Sequence, residues 1–197
     1  AAARLKLLDG KPAFAATDTG QGLAAGSGLT WADAPELRLR PEMEFLCRFR
    51  LDALREGTQT LAMKDGEYIL RVDWQKEGGN LSLFVQIDGT WESRLRGPVV
   101  QAGTWYDVRA QWTGTSMEME VNGQSCRSRR AGRIQPTGEP LQVGPIAGVI
   151  DRLVIRNPGY DRSMALQALA GKGPAATRQS QFGGTAGWQG WQGVGGA

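Results

Sequence analysis

Residues 42–51 read EMEFLCRFRL, from Glu42 to Leu51. In an extended chain successive side chains point to opposite faces. Met43, Phe45, Cys47, Phe49 and Leu51 therefore share one face, while Glu44, Arg48 and Arg50 occupy the other. Five apolar positions at period two, opposed by charge, predict a strand with one face in a core and one at the surface.

The same arithmetic extends along the chain. YILRVDWQ places Tyr68, Leu70, Val72 and Trp74 inward and Arg71, Asp73 and Gln75 outward. NLSLFVQID places Leu81, Leu83, Val85 and Ile87 inward and Ser82, Phe84 and Gln86 outward. WYDVRAQW contributes Tyr106, Val108, Ala110 and Trp112 to the core, and SMEMEVNG adds Met117, Met119 and Val121. Between these runs stand Asp65-Gly66, Asp88-Gly89 and Asn122-Gly123, dipeptides that accept the positive φ of tight hairpins. Short alternating runs punctuated by turns predict an all-β chain folded as a two-sheet antiparallel β-sandwich.

At 197 residues the chain is long enough for one well-buried core and short for two. The expected division is a sandwich over residues 1–157 and an appendage over 158–197. In the appendage, DRSMALQALA (Asp161–Ala170) predicts one short helix closed by Gly171 and Pro174. Beyond it lies a Gly-rich tail whose GWQGWQG repeat sets Trp188 and Trp191 three residues apart.

Composition narrows the chemistry. The absence of histidine removes the usual activation of serine and cysteine nucleophiles and the commonest metal ligand. Two cysteines, Cys47 and Cys126, allow at most one disulfide, and the sequence leaves open whether they are bridged. Net charge is +3, with lysine only at Lys6, Lys11, Lys64, Lys76 and Lys172. An arginine bias suits bidentate contacts with carboxylate, sulfate or phosphate, and a GC-rich genome produces it equally well. No apolar run approaches the roughly 20 residues that cross a bilayer. The alanines at the start of the chain match what cleavage of an export signal leaves behind, so a secreted, periplasmic or cell-surface location is expected.

Four segments carry a family resemblance: LTWADAPELRLRPEMEFLCRFRL (29–51), MKDGEYILRVD (63–73), GTWYDVRAQWTGTSMEMEVNGQ (103–124) and LQVGPIAGVIDRLVIRN (141–157). In this order they resemble the laminin-G-like, concanavalin-A-like lectin domains, over about three-quarters of the chain. The resemblance implies a jelly roll with one concave sheet, formed by strands between about Thr58 and Arg96. Relatives of this fold include glycan-binding modules, adhesive domains and add-on domains of polysaccharide-degrading enzymes, and fold alone does not choose among them.

If the register follows the family, the concave face presents Arg71, Asp73, Gln75, Phe84, Gln86, Glu92 and Arg94, with Trp91 at the entrance of a strand. Stacking rings with a few orienting polar groups are what a sugar site requires. The plain alternative is a polar sheet face with one exposed phenylalanine. Asp151, in Gly148-Val149-Ile150-Asp151, matches the family position associated with a structural calcium ion, with Asp18 as a second ligand; a turn cap is the competing role.

An enzymatic reading rests on Glu118 and Glu120, two carboxylates on one strand face, yet the acidic strand of glycanases with this fold is missing. Arg127, Arg129, Arg130 and Arg133 form a basic cluster that reads as a solvated loop or an anionic-glycan contact; no nucleic-acid motif accompanies it. Gly20-Gln21-Gly22 reads as a loop, and Asn80-Leu81-Ser82 is a formal glycosylation sequon. The expected function is a non-catalytic, lectin-like module that binds polysaccharide or glycan. The rival is a structural or adhesive subunit that assembles with its own copies or with other surface proteins through Trp188 and Trp191.

Overall fold

The computed structural model describes residues 6–24, 26, 28–91, 94–157 and 180–183. The strands are β1 (Leu7–Asp9), β2 (Phe14–Thr17), β3 (Gly20–Leu23), β4 (Leu29–Trp31), β5 (Met43–Leu51), β6 (Gln59–Lys64), β7 (Tyr68–Val72) and β8 (Asn80–Val85). They continue as β9 (Arg94–Val99), β10 (Trp105–Trp112), β11 (Ser116–Val121), β12 (Gln124–Arg129), β13 (Leu141–Val143), β14 (Gly148–Arg156) and β15 (Ser180–Gly183). Two single-turn 3₁₀ segments, Pro35–Leu37 and Gln75–Glu77, interrupt them. The expected helix at 161–170, Trp188 and Trp191 lie outside the described residues, as does Glu92.

All pairings are antiparallel and build two sheets. One has the order β1-β4-β13-β6-β7-β8-β9; the other runs β12-β11-β10-β5-β14-β3-β2, with β15 also against β14. The β6–β9 strands expected to share a sheet do so as four consecutive neighbours. The three hairpin dipeptides sit in turns. At two of them, Asp88-Gly89 and Asn122-Gly123, both residues have positive φ, 53° and 73° in the first and 50° and 81° in the second. Such a pair of angles matches the right-handed twist of the flanking strands.

The core lies between the sheets. Met43, Phe45, Cys47, Phe49 and Leu51 are completely buried, and Tyr68 from the opposite sheet meets Phe45 edge-on at 5.0 Å. Trp74 departs from the expected alternation. The strand ends at Val72, the chain turns into Gln75–Glu77, and Trp74 is only half-buried, with Lys76 Nζ 4.4 Å from its ring. Gly20–Leu23 is strand β3 rather than a loop, hairpinned to β2. The sequon's Asn80 donates its side-chain amide to the carbonyl of Gly97 at 2.9 Å.

One set of charges is inside. Lys64, with no exposed surface, donates to the carbonyl of Thr137 at 3.0 Å and forms ion pairs with Glu67 at 2.6 Å and Asp33 at 3.0 Å. Glu67, equally buried, also accepts from the Leu39 and Thr137 backbone amides and from the Thr137 hydroxyl. A buried charge is tolerated when its partners are close and its hydrogen bonds are complete. This clasp ties the 33–39 connection and Thr137 to the β6–β7 turn.

Cys47 and Cys126 are both free. They stand on β5 and β12, with β10 and β11 between them. Three strand spacings of about 4.8 Å far exceed the roughly 7 Å that a disulfide spans.

Candidate functional site

The surface face of β7, β8 and β9 carries a recess of about 730 Å³ lined by Arg71, Glu77, Phe84, Trp91, Arg94 and Arg96. Register explains the convergence. Arg71 lies opposite Ser82, and Ser82 opposite Arg96, while Phe84 lies opposite Arg94. All therefore point away from the core, on adjoining rows of one sheet face.

Asp73 lies beneath them. Its side chain is fully buried, and it accepts from Ser82 Oγ at 2.6 Å, Arg71 Nε at 2.8 Å and Arg94 NH1 at 3.4 Å. One hidden carboxylate thus orients two guanidinium groups. The same two groups cover the Phe84 ring, at 4.6 Å for Arg71 and 5.3 Å for Arg94. Phe84 is consequently 8% exposed and is not the open stacking ring that its strand face suggested. Trp91, half-buried in a bend before β9, is the aromatic ring at the rim.

Of the expected site residues, the recess collects Arg71, Phe84, Trp91 and Arg94, with Asp73 as their support. Gln75, in the exposed 3₁₀ turn, and Gln86, whose backbone amide donates to the Glu67 carbonyl, do not line it. Two lining residues were missed. Arg96 was legible from the alternation Arg94-Leu95-Arg96; Glu77 comes from a turn with no period to read.

The opposite face of the molecule is a lattice of ion pairs. Arg156, Glu44, Gln111, Glu118 and Arg127 follow one another in register across β14, β5, β10, β11 and β12. Glu44 is 2% exposed, bound by Arg156 and by Arg109 Nε at 2.5 Å. Burial pushes its pKa up, but the two arginines outweigh that and hold it below the usual carboxylate range. Glu118 is also held low, by hydrogen bonds from Gln111 and Ser116 and by the charge of Arg127. A proton donor to a glycosidic oxygen needs the opposite shift.

Asp151 and Asp18 do come together, on Arg48. Its NH1 lies 3.1 Å from Asp151 and 2.9 Å from Asp18, and its NH2 lies 2.7 Å from Asp18. Asp151 further accepts from the hydroxyls of Thr17 and Thr19, each at 2.6 Å. Burial raises its pKa, and these hydrogen bonds and Arg48 more than reverse the effect. Calcium takes six to eight oxygen ligands. Here the guanidinium already supplies the positive charge, and among the described residues no three His, Cys, Asp or Glu side chains group to hold a metal. The donor set does not fit a calcium ion.

No protein-family model and no curated protein sequence matches the chain. Solved structures do resemble it. Domain 4 of AbnA, a GH43 extracellular arabinanase from Geobacillus stearothermophilus, in complex with arabinotriose, superposes with a TM-score of 0.54 at 16% identity, covering 76% of both chains. A putative carbohydrate binding protein from Bacteroides ovatus gives 0.53 at 15% identity, over 73% of this chain and 42% of that one. The enzymatically active domain of bacteriophage CBA120 tailspike protein 2 gives 0.53 at 12%, over 89% of this chain and 32% of that one. At these identities the likeness is one of fold, a two-sheet antiparallel β-sandwich.

Proposed function

We propose that the protein is a carbohydrate-binding domain of an exported or cell-surface protein, and that glycan is held in the recess of β7–β9. The observation that carries this reading is the recess itself: one rim tryptophan, Trp91, beside polar side chains whose orientation is set from below by Asp73. A sugar ring packs its apolar face on an aromatic ring while fixed donors take its hydroxyls. A putative carbohydrate binding protein and an arabinanase domain in complex with arabinotriose, both of the same fold, support the class of ligand. The role is binding rather than catalysis, because the described carboxylates at the recess are engaged by arginine: Asp73 by Arg71 and Arg94, and Glu77 by Arg71 at 3.5 Å.

A glycan array read with the wild-type chain, Trp91→Ala and Arg71→Ala tests the site. Binding by the wild type that both variants lose at unchanged melting temperature is the expected result. Binding retained by both would place the glycan elsewhere.

A second reading, assembly through the tail, draws support from β15. Ser180–Gly183, from the Gly-rich segment, pairs with Arg152–Ile155 of β14, and such an edge accepts a strand from its own chain or from a neighbour. Light scattering on a chain ending at Gly171 tests it: an oligomer lost with the tail supports assembly, and an unchanged mass refutes it.

A further inference from the structure

We infer that the recess takes an acidic glycan, one whose sugars carry a carboxylate or a sulfate, and that Arg96 reads that charge. The inference rests on the glycan-binding reading above and goes beyond it in naming the chemistry of the ligand.

The argument starts from what the recess lacks. Phe84 would offer a neutral sugar its stacking surface, but Arg71 and Arg94 lie over that ring. What remains open beside Trp91 is mostly guanidinium. The three arginines are not equivalent. Arg71 spends its Nε on Asp73 and reaches Glu77; Arg94 spends NH1 on Asp73. Arg96 is exposed, and among the described residues it has no carboxylate partner. Among the described residues three cations therefore face two anions, Asp73 and Glu77, and Asp73 is shut away beneath the floor.

Geometry favours an oxyanion at this point. Arg94 and Arg96 lie two residues apart on β9 and share a sheet face, and Arg96 and Arg71 flank Ser82 on one cross-strand row. Among the described residues Arg96 gives none of its five N–H donors to a side chain, and Arg94 keeps those not given to Asp73. A planar guanidinium matches two oxygens of a carboxylate or sulfate at once. The supporting carboxylate below holds Arg71 and Arg94 in place before any ligand arrives, which lowers the ordering cost of binding. Trp91 at the rim is positioned to pack a sugar ring while its acidic group enters among the arginines.

Affinity electrophoresis distinguishes this inference from the reading beneath it. The probes are polygalacturonate, dextran sulfate, and polygalacturonate whose carboxyls have been reduced to alcohols. The variants are Arg96→Gln, Trp91→Ala, and Arg55→Gln as a control for diffuse attraction, since Arg55 is exposed in a loop and outside the recess. Retardation by one or both acidic polymers, loss of about ten- to hundredfold in affinity for Arg96→Gln, and little change for Arg55→Gln are expected. The polymer that retards identifies carboxylate or sulfate as the source.

Equal retardation by the acidic and reduced polymers, lost in Trp91→Ala, overturns the acidic inference and leaves the glycan reading standing. Equal weakening by Arg96→Gln and Arg55→Gln overturns it as well, because the attraction is then unlocalised. If no polymer retards the wild type, both fall.

Discussion

The Arg71 guanidinium lies 4.6 Å from the ring centroid of Phe84. A phenylalanine on the surface face of a strand is thereby closed off, and a face that looks aromatic in the sequence is cationic in space. A contact of this kind contributes about 0.5–1 kcal/mol. Its larger consequence is directional, because it sets which atoms of the arginine remain outward.

Asp73→Ala tests that support. Removal leaves Arg71 and Arg94 without their shared carboxylate and Ser82 without its acceptor. Both arginines retain some access to water, so the loss of stability is expected at about 1–3 kcal/mol by chemical denaturation. Glycan affinity should fall further than in a variant of equal stability loss elsewhere. An Asp73→Ala domain with unchanged affinity would show that the arginines need no alignment.

Lys64→Met is expected to cost about 3–5 kcal/mol, because it strands the buried Glu67 without its cation and leaves Asp33 to Arg38 alone. The double variant Lys64→Met/Glu67→Leu should recover part of that loss, since a neutral pair leaves no unpaired charge. Urea titrations of the singles and the double give the coupling. Additive losses would mean that the two side chains do not act as a pair.

Stability should be level from about pH 5 to pH 8, because the chain has no histidine to titrate there. The acid limb comes from Asp33, Glu44 and Asp151, all held below their ordinary values in the folded chain. A depressed folded pKa contributes stability above the unfolded value, about 4, which is lost as pH falls toward the folded one. The alkaline limb has the reverse sign. Burial raises Cys47 and Tyr68, so their contribution is complete below unfolded values of about 8.5 and 10 and declines as pH rises beyond them. Melting temperature measured across this range should show a plateau with two shoulders; a step near pH 6.5 would contradict it.

Millimolar calcium or a chelator should leave the melting temperature unchanged, since Arg48 already stands between Asp18 and Asp151. Arg48→Ala should cost about 1–3 kcal/mol by leaving the buried Asp151 carboxylate with only Thr17 and Thr19. A calcium-dependent rise in the wild-type melting temperature would refute the assignment of Arg48 as the resident cation.

The sheet faces were legible where strands are regular. The alternation of β5, β8, β10 and β11 places the residues of their core faces without error, because one side of each strand is buried and a slip of one residue would expose it. Legibility failed where regularity does. A register shift between Thr60 and Ala62 turns Lys64 inward beside Tyr68, and no alternation beginning at Leu61 finds it. Its partners Asp33 and Thr137 lie far away in the chain, and nothing local announces them. For Phe84 the alternation named the right face but not its covering, which comes from neighbouring strands. The aspartates at 18 and 151, read from the sequence as a pair, both bind Arg48, which no local pattern announces.

The clasp around Lys64 also bears on time. Apart from the Lys64–Glu67 pair, three positions apart, its contacts join residues 28, 70 and 73 positions apart, so these cannot form until those long loops have closed. Interactions that appear only after the folding barrier act on the rate of escape from the native state rather than on the rate of arrival. The clasp is in this sense a latch: its weakening would shorten the lifetime of the folded domain while leaving its speed of folding nearly untouched. Wherever a chain that opens is cut rather than rescued, that lifetime is the stability that counts.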